Sequence, residues 1–373
     1  MSSRRLKKAL KRIINLPKNR YLIYYLNNKM KHFYLRLNKS TTVAYPSTIM
    51  LELTNHCNLH CTTCPREYDY GKDMDKGHMP IEQAKKIIDE IWPYLDSVGL
   101  TGMGETFLYK ELNIIIDYIQ SKNSGIIISL STNAMLPNFI EKVSEVIDKV
   151  DTIQVSIDGL GSVYESIRVN ASFAKLDENL QALTQLCHNS KTTIMLNMVV
   201  TKENYFQMPD LVRYAQKTGI KYLDFTLFNL ASVTNVNSSY YDFYKSVEFI
   251  HSVAKLEEAI TENNQVTVTN KNFQTDNGFQ KCPFPWTHFY ICWNGFLAPC
   301  CAKPFPKELN FGNVFEEKLL DTLNNKAYQT FRQMWQQNKT PDFCNKCHFI
   351  DIEPIKHNHD TIISNKLYPN QLK

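Results

Sequence analysis

An alternation of strand-length apolar runs with helix-period segments constrains this chain more than any other feature. From residue 46 onward, β-branched and apolar runs occur at Ile49–Thr54, Ser97–Thr101, Ile126–Ser131, Thr152–Ile157, Ile194–Val200 and Leu223–Phe228. Between them, Ile81–Trp92, Leu112–Ile119, Phe139–Val150, Leu176–Leu186 and Met208–Ala215 repeat apolar residues at helical spacing. In the first of these, Ile81, Ala84, Ile87, Ile88 and Ile91 share one face. Strand, helix, strand in succession predicts a parallel α/β sheet with right-handed crossovers. Six units are too few for a complete eight-fold barrel. The fold class is therefore read as α/β, a partial (β/α)6 TIM-like barrel; a doubly wound sheet has the same periodicity. A helix over Tyr240–Ile260 and a strand over Val266–Thr269 are expected next. The segments then divide as an arm (1–45), a core (46–235), a linker helix and strand (236–280), a cysteine-rich domain (281–350) and a polar tail (351–373).

The ten cysteines are grouped rather than scattered. The basic N-terminus lacks a following apolar segment, so no secretory signal is read and a cytoplasmic location is expected. Clustered cysteines without such a signal point to metal ligands rather than disulfides. Cys57, Cys61 and Cys64 lie on one loop after the first strand, with the spacing C-x3-C-x2-C. Loops after the strands of a parallel α/β domain form its active face. Three thiolates there can hold three irons of a 4Fe–4S cubane and leave the fourth iron open. Zinc, with His56 or His60 as fourth ligand, is the alternative.

The second group begins at Cys282; twelve residues separate it from Gly295 and four more precede Cys300. Cys344 and Cys347 form C-x2-C. These four thiolates suit a complete 4Fe–4S cluster or zinc. Trp286–Trp293 and Gly295–Cys301 read as two short strands joined by an Asn-Gly turn. Cys301 competes with Cys300, because spacing does not separate adjacent cysteines. Cys187 and Cys292 read as packed thiols.

The C-x3-C-x2-C loop after the first strand resembles the radical S-adenosylmethionine (SAM) superfamily. In that family the open iron chelates SAM, and one electron cleaves it to methionine and a 5′-deoxyadenosyl radical that abstracts hydrogen from substrate. Thr63 stands where the family often has an aromatic residue. Further similarities run from Pro46 to about Asn229. Gly102-Met-Gly104-Glu105 resembles the Gly-Gly-Glu motif, which implies that Gly104 and Glu105 contact the SAM amino group. Ser131-Thr132-Asn133 resembles a ribose-contacting Thr-Asn-Gly motif, with Ala134 in place of Gly. Ser156-Ile-Asp158-Gly resembles Ser-Leu-Asp-Gly, and Arg168 stands where several members pair an arginine with the SAM carboxylate. Thr132, Asn133, Ser156, Asp158 and Arg168 are thus implied as cofactor contacts; each also suits a helix cap or turn. The cysteine-rich segment resembles the auxiliary-cluster domains called SPASM in full form and twitch in shortened form. The resemblance implies Cys282, Cys300, Cys344 and Cys347 as ligands of one auxiliary cluster, hence SAM and two 4Fe–4S clusters as cofactors. It also implies a reducing partner such as flavodoxin or ferredoxin.

Residues 1–45 hold 12 Lys or Arg and no Asp or Glu, whereas the rest of the chain holds 30 Lys or Arg against 37 Asp or Glu. Arg4, Arg5, Lys7, Lys8, Lys11 and Arg12 surround Leu6, Leu10, Ile13 and Ile14 in an amphipathic pattern ending near Pro17. Such an arm suits packing on the barrel, an anionic membrane surface at the inner face, nucleic acid, or an acidic partner. The leading functional reading is net oxidation of a sugar- or alcohol-type small molecule, with the auxiliary cluster as electron acceptor. Modification of a ribosomal peptide is the related alternative. A non-catalytic zinc protein that binds nucleic acid is the contrasting class; it leaves Glu105, Asn133 and Asp158 without a purpose. No general base for a substrate hydroxyl is identifiable.

Overall fold

The computed structural model describes residues 19–233, 235–269, 282–344 and 346–347, with Leu10 and Ile14. Apart from those two residues, the cationic helix expected around Arg4–Pro17 lies outside them, as does the tail 351–373. The described chain is organised by one nine-stranded sheet. Its strands are β1 (Thr48–Leu51), β2 (Ser97–Leu100), β3 (Ile127–Thr132), β4 (Thr152–Ser156), β5 (Thr193–Val200), β6 (Tyr222–Leu227), β7 (Thr267–Thr269), β8 (Phe289–Ile291) and β9 (Leu297–Ala298). Their spatial order is β9-β8-β1-β2-β3-β4-β5-β6-β7. All neighbours are parallel except the β8–β9 hairpin. From β1 to β6 the spatial order follows the chain order. A doubly wound sheet requires a reversal of order where helices change face. No reversal occurs, so the wall is singly wound, as in an open TIM-like barrel.

The main helices are α1 (Asn19–Leu37), α2 (Ile81–Ile91), α3 (Leu112–Lys122), α4 (Phe139–Ser144), α5 (Phe173–Leu186), α6 (Met208–Lys217), α7 (Val247–Glu262) and α8 (Lys326–Gln336). Burial alternates with period two along β1 to β5. Ile49, Leu51, Val98, Leu100, Ile128, Leu130, Ile153 and Val155 are buried in one core with Ile87, Ile88 and Ile91 of α2 and Ile115, Ile116 and Ile119 of α3. The intervening Met50, Gly99, Ser129, Ser131, Gln154, Ser156 and Asn197 are half-buried on the opposite face. A polar inner wall and an apolar outer one follow from this alternation.

Several elements differ from the sequence expectations. The α-helix begun at Phe139 ends at Ser144 rather than Val150, before Asp148 enters the left-handed region with φ 67°. The long helix expected over Tyr240–Ile260 is two elements, a 3-10 stretch at Ser238–Lys245 and α7. Ser246 separates them: its backbone is extended (φ −68°, ψ 154°) and its hydroxyl accepts from Phe249 N, an N-cap. Trp286 lies in a helical turn, Phe284–Thr287, rather than in a strand. Pro285 occupies the first turn of that helix, where a missing N–H costs nothing. The Asn-Gly turn forms as expected, with Gly295 at φ 86°. Strand β8 then pairs in parallel with β1 through Ile49–Phe289, Met50–Tyr290 and Leu51–Ile291. The cysteine-rich segment thereby extends the barrel wall.

Candidate functional site

The loop that follows β1 carries Cys57, Cys61 and Cys64. His60–Cys61 forms a two-residue antiparallel ribbon with Arg168–Val169, which sets Cys61 opposite Arg168. Thr62 N donates to Ile167 O at 2.8 Å and continues the pairing. Cys64 caps a 3-10 turn at Pro65–Glu67. Burial pushes the Cys61 thiol up to about 12 and the Cys64 thiol to about 11, with the Arg168 and Arg66 cations respectively working against it. Thiols so buried become thiolates by binding a cation.

The neighbouring loop is fastened to this one. Glu105 N donates to His56 O at 2.8 Å. A Cβ on Gly104 would lie 2.5 Å from His56 O and 2.6 Å from Thr54 O, so only glycine permits the approach. A Cβ on Gly102 would strike the Glu52 side chain at 2.4 Å. Glu105 is 2% exposed. Its Oε1 accepts from Thr132 Oγ1 at 2.8 Å and from Phe107 N, and its Oε2 accepts from Asn133 N at 2.7 Å. Burial raises its carboxyl above the usual range, opposed by these hydrogen bonds. Glu105 thus locks the loop after β2 to the loop after β3. Asn133 continues the chain of contacts, donating from Nδ2 to Asn58 Oδ1 at 2.9 Å and to Cys57 Sγ at 3.7 Å. Ala134, in the glycine position of the resembled motif, has φ 58°.

Asp158 is fully buried. Its Oδ1 accepts from Val199 N at 2.8 Å and its Oδ2 pairs with Arg168 Nη2 at 2.9 Å. Arg168 also reaches Cys61 Sγ at 3.9 Å through Nη1. Asp158 therefore holds the Arg168 guanidinium beside the thiol loop. Ser156, the last residue of β4, lies half-buried on the polar wall. Gly104, Glu105, Thr132, Asn133, Asp158 and Arg168 are thus linked to the three-cysteine loop by named contacts, and Ser156 shares the wall beside them.

A second thiol site lies in the cysteine-rich segment. Cys282, Cys300, Cys344 and Cys347 line one apolar recess, together with Ala231, Pro285, Phe331, Trp335 and Phe343. Cys301 does not line it; it packs with Met50, Tyr290, Cys292 and Ala298 on the opposite side of the hairpin. The non-helical, non-strand segment that follows β9 thus separates two cysteines that spacing left equivalent. Four thiols lining one apolar recess fit a complete cubane, whereas the loop with three fits one with an open iron. Cys292 is 1% exposed and packed, as expected. Cys187 caps the end of α5 rather than lying inside it.

Three residues that the sequence did not single out support these sites. Glu52, 2% exposed, accepts from Met103 N at 2.8 Å, Tyr290 Oη at 2.8 Å and Trp293 N at 3.2 Å. It joins β1, the glycine loop and the hairpin. A carboxylate directly after an apolar strand was its available signal. Asn229, two residues beyond β6, donates from Nδ2 to Cys347 Sγ at 3.5 Å. Lys303 donates from Nζ to Phe343 O at 3.0 Å and pairs with Glu308, and its charge acts on Cys300 and Cys344.

Comparison with known proteins agrees with this geometry. A model of the radical SAM superfamily matches residues 51–215, and a model of an iron–sulfur cluster-binding domain, SPASM, matches residues 282–348. The chain is 25% identical over 326 residues to the tungsten-containing aldehyde ferredoxin oxidoreductase cofactor-modifying protein of Pyrococcus furiosus, covering 81% of this chain and 87% of that one. It is 22% identical to the antilisterial bacteriocin subtilosin biosynthesis protein AlbA of Bacillus subtilis, covering 94% and 78%. Its fold is similar to that of Streptococcus suis SuiB bound to the precursor peptide SuiA, with a TM-score of 0.64 at 17% identity over 88% of this chain and 75% of that one. The native anSMEcpe structure with bound AdoMet gives 0.60 at 18% identity over 81% and 86%. Residues 51–215 are thus a radical SAM domain and residues 282–348 a SPASM domain, and the two together imply SAM and 4Fe–4S clusters as cofactors.

Proposed function

We propose that the protein cleaves SAM reductively, takes a hydrogen atom from an alcohol-type small molecule and oxidises the resulting radical through a single auxiliary cluster. The observation that carries this reading is the shared placement of the two thiol sites. Cys57, Cys61 and Cys64 follow the C-terminal end of β1, and Cys347 is tied through Asn229 to the C-terminal end of β6. Both sites therefore serve one mouth of one barrel. Cys57, Cys61 and Cys64 would hold a 4Fe–4S cluster, which would supply the electron for splitting SAM into methionine and the hydrogen-abstracting 5′-deoxyadenosyl radical. Around it, Glu105 holds Thr132 and Asn133 in place. Arg168, aimed by Asp158, offers the cation for the SAM carboxylate, and Gly104 lets backbone approach its amino group. Ser156 supplies a hydroxyl on the inner wall. Loss of one hydrogen atom, one proton and one further electron converts a secondary alcohol to a ketone. The four thiols of the recess leave no protein-free iron for substrate, which favours electron acceptance over anchoring. Flavodoxin or ferredoxin would supply the initial electron.

The test is product analysis with the anaerobically reconstituted protein. Sugar alcohols bearing deuterium at each carbinol carbon are supplied with SAM and reductant. Deuterium in 5′-deoxyadenosine, with a ketone formed in equal amount, supports the reading. Cys344→Ala/Cys347→Ala protein should still form 5′-deoxyadenosine but no ketone. Reaction of a ribosomal peptide, with the alcohols inert, would replace the alcohol reading. The extent of similarity to the subtilosin biosynthesis protein, 94% of this chain, favours that second reading.

A further inference from the structure

Helix α1 is amphipathic in the inverse sense. Its polar side faces the protein. Tyr25 Oη and Lys29 Nζ donate to the two oxygens of Asp96 at 3.0 and 2.7 Å. Asn28 exchanges two hydrogen bonds with the Tyr45 backbone at 2.9 and 3.1 Å, and His32 Nε2 lies 2.7 Å from Tyr45 O. The apolar side faces outward: Ile23, Leu26, Met30, Phe33, Tyr34 and Leu37 are exposed, Met30 at 69% and Phe33 at 66%. Their spacing of three, four, three, one and three residues keeps them on one stripe. A water-facing surface helix has the opposite arrangement. Exposed large hydrophobics are concentrated here, with Leu10 and Ile14 on the preceding segment also exposed.

We propose that this stripe docks on an anionic membrane surface. Charge complementarity selects that occupant. Residues 1–45 carry 12 cations and no acid, and Arg20, Lys31, Arg36 and Lys39 are exposed on or beside α1. An apolar stripe bordered by cations without acids suits the interface of an anionic bilayer, where the apolar side chains enter the acyl boundary and the cations meet headgroups. The seat of α1 also fixes an orientation. Asp96 directly precedes β2 and Tyr45 lies three residues before β1, so α1 covers the N-terminal ends of these strands. The thiol loops leave the opposite ends. The reaction mouth therefore faces away from the lipid, open to water-borne substrate and reductant.

The test is sedimentation of the full-length, reconstituted protein with vesicles of phosphatidylglycerol and phosphatidylcholine, against vesicles of phosphatidylcholine alone. The wild type should bind the mixed vesicles and release as salt is raised. Met30→Glu/Phe33→Glu should weaken binding at least about tenfold, with circular dichroism and 5′-deoxyadenosine formation unchanged. Arg36→Glu/Lys39→Glu, which leaves the stripe intact, should weaken it as well. No binding by the wild type, equal binding to both vesicle types, or undiminished binding by both variants overturns the proposal. So does a wild-type dimer in solution that Met30→Glu/Phe33→Glu converts to monomers.

Discussion

Asp158 and Arg168 form a buried pair whose two charges are worth most to each other. Removing the carboxylate leaves a guanidinium unpaired in a dry setting, which costs about 3–5 kcal/mol. Asp158→Ala is expected to lower the unfolding free energy by that amount in denaturant titration and to weaken SAM binding through a misdirected Arg168. Ala134 is a milder case. At φ 58° it carries left-handed strain that glycine would not. Ala134→Gly should raise stability by up to about 1 kcal/mol, read as a shift in the denaturation midpoint. Lys303 is a charge rather than a strain. A buried ammonium beside Cys300 and Cys344 favours the more negative, reduced state of a cluster held there. Lys303→Met should lower the auxiliary midpoint by on the order of 50 mV in an EPR-monitored titration, while the SAM-cleaving cluster is unaffected. An unchanged midpoint would remove Lys303 from this role.

At the scale of elements, Glu52 is the joint between the barrel and the cysteine-rich segment. Glutamine at this site would turn an amide N–H2 toward a backbone or hydroxyl donor. Glu52→Gln should therefore cost about 1–3 kcal/mol, measured by thermal unfolding. The strands and most helices were legible beforehand for a simple reason. The strands bury apolar, mostly β-branched residues at alternate positions, and helices packed on one side carry apolar residues at i, i+3 and i+4. The three-cysteine loop was legible because all its ligands are local. The break at Ser246 was not, since capping competes with periodicity at a single residue. That Cys300 lines the recess while Cys301 packs beside Tyr290 depends on the turn after β9, which carries no periodic signal. The pairing of β8 with β1 joins residues far apart in sequence, for which no local signal exists.

The whole molecule is a barrel wall completed by its own cysteine-rich segment. Arg332, fully buried, donates to the carbonyls of Thr41, Pro285 and Leu323 and so clasps the chain before β1 to the segment after β9. Among the described residues no helix is long and apolar enough to cross a membrane. The central claim is that two separate clusters divide the work, one opening SAM and one closed by four thiols. Iron content and 5′-deoxyadenosine formation of anaerobically reconstituted Cys57→Ala/Cys61→Ala/Cys64→Ala protein test it in one preparation. The account predicts that about four of eight irons remain and that SAM cleavage is abolished. Retained cleavage, or a variant that holds zinc in place of iron, would contradict it.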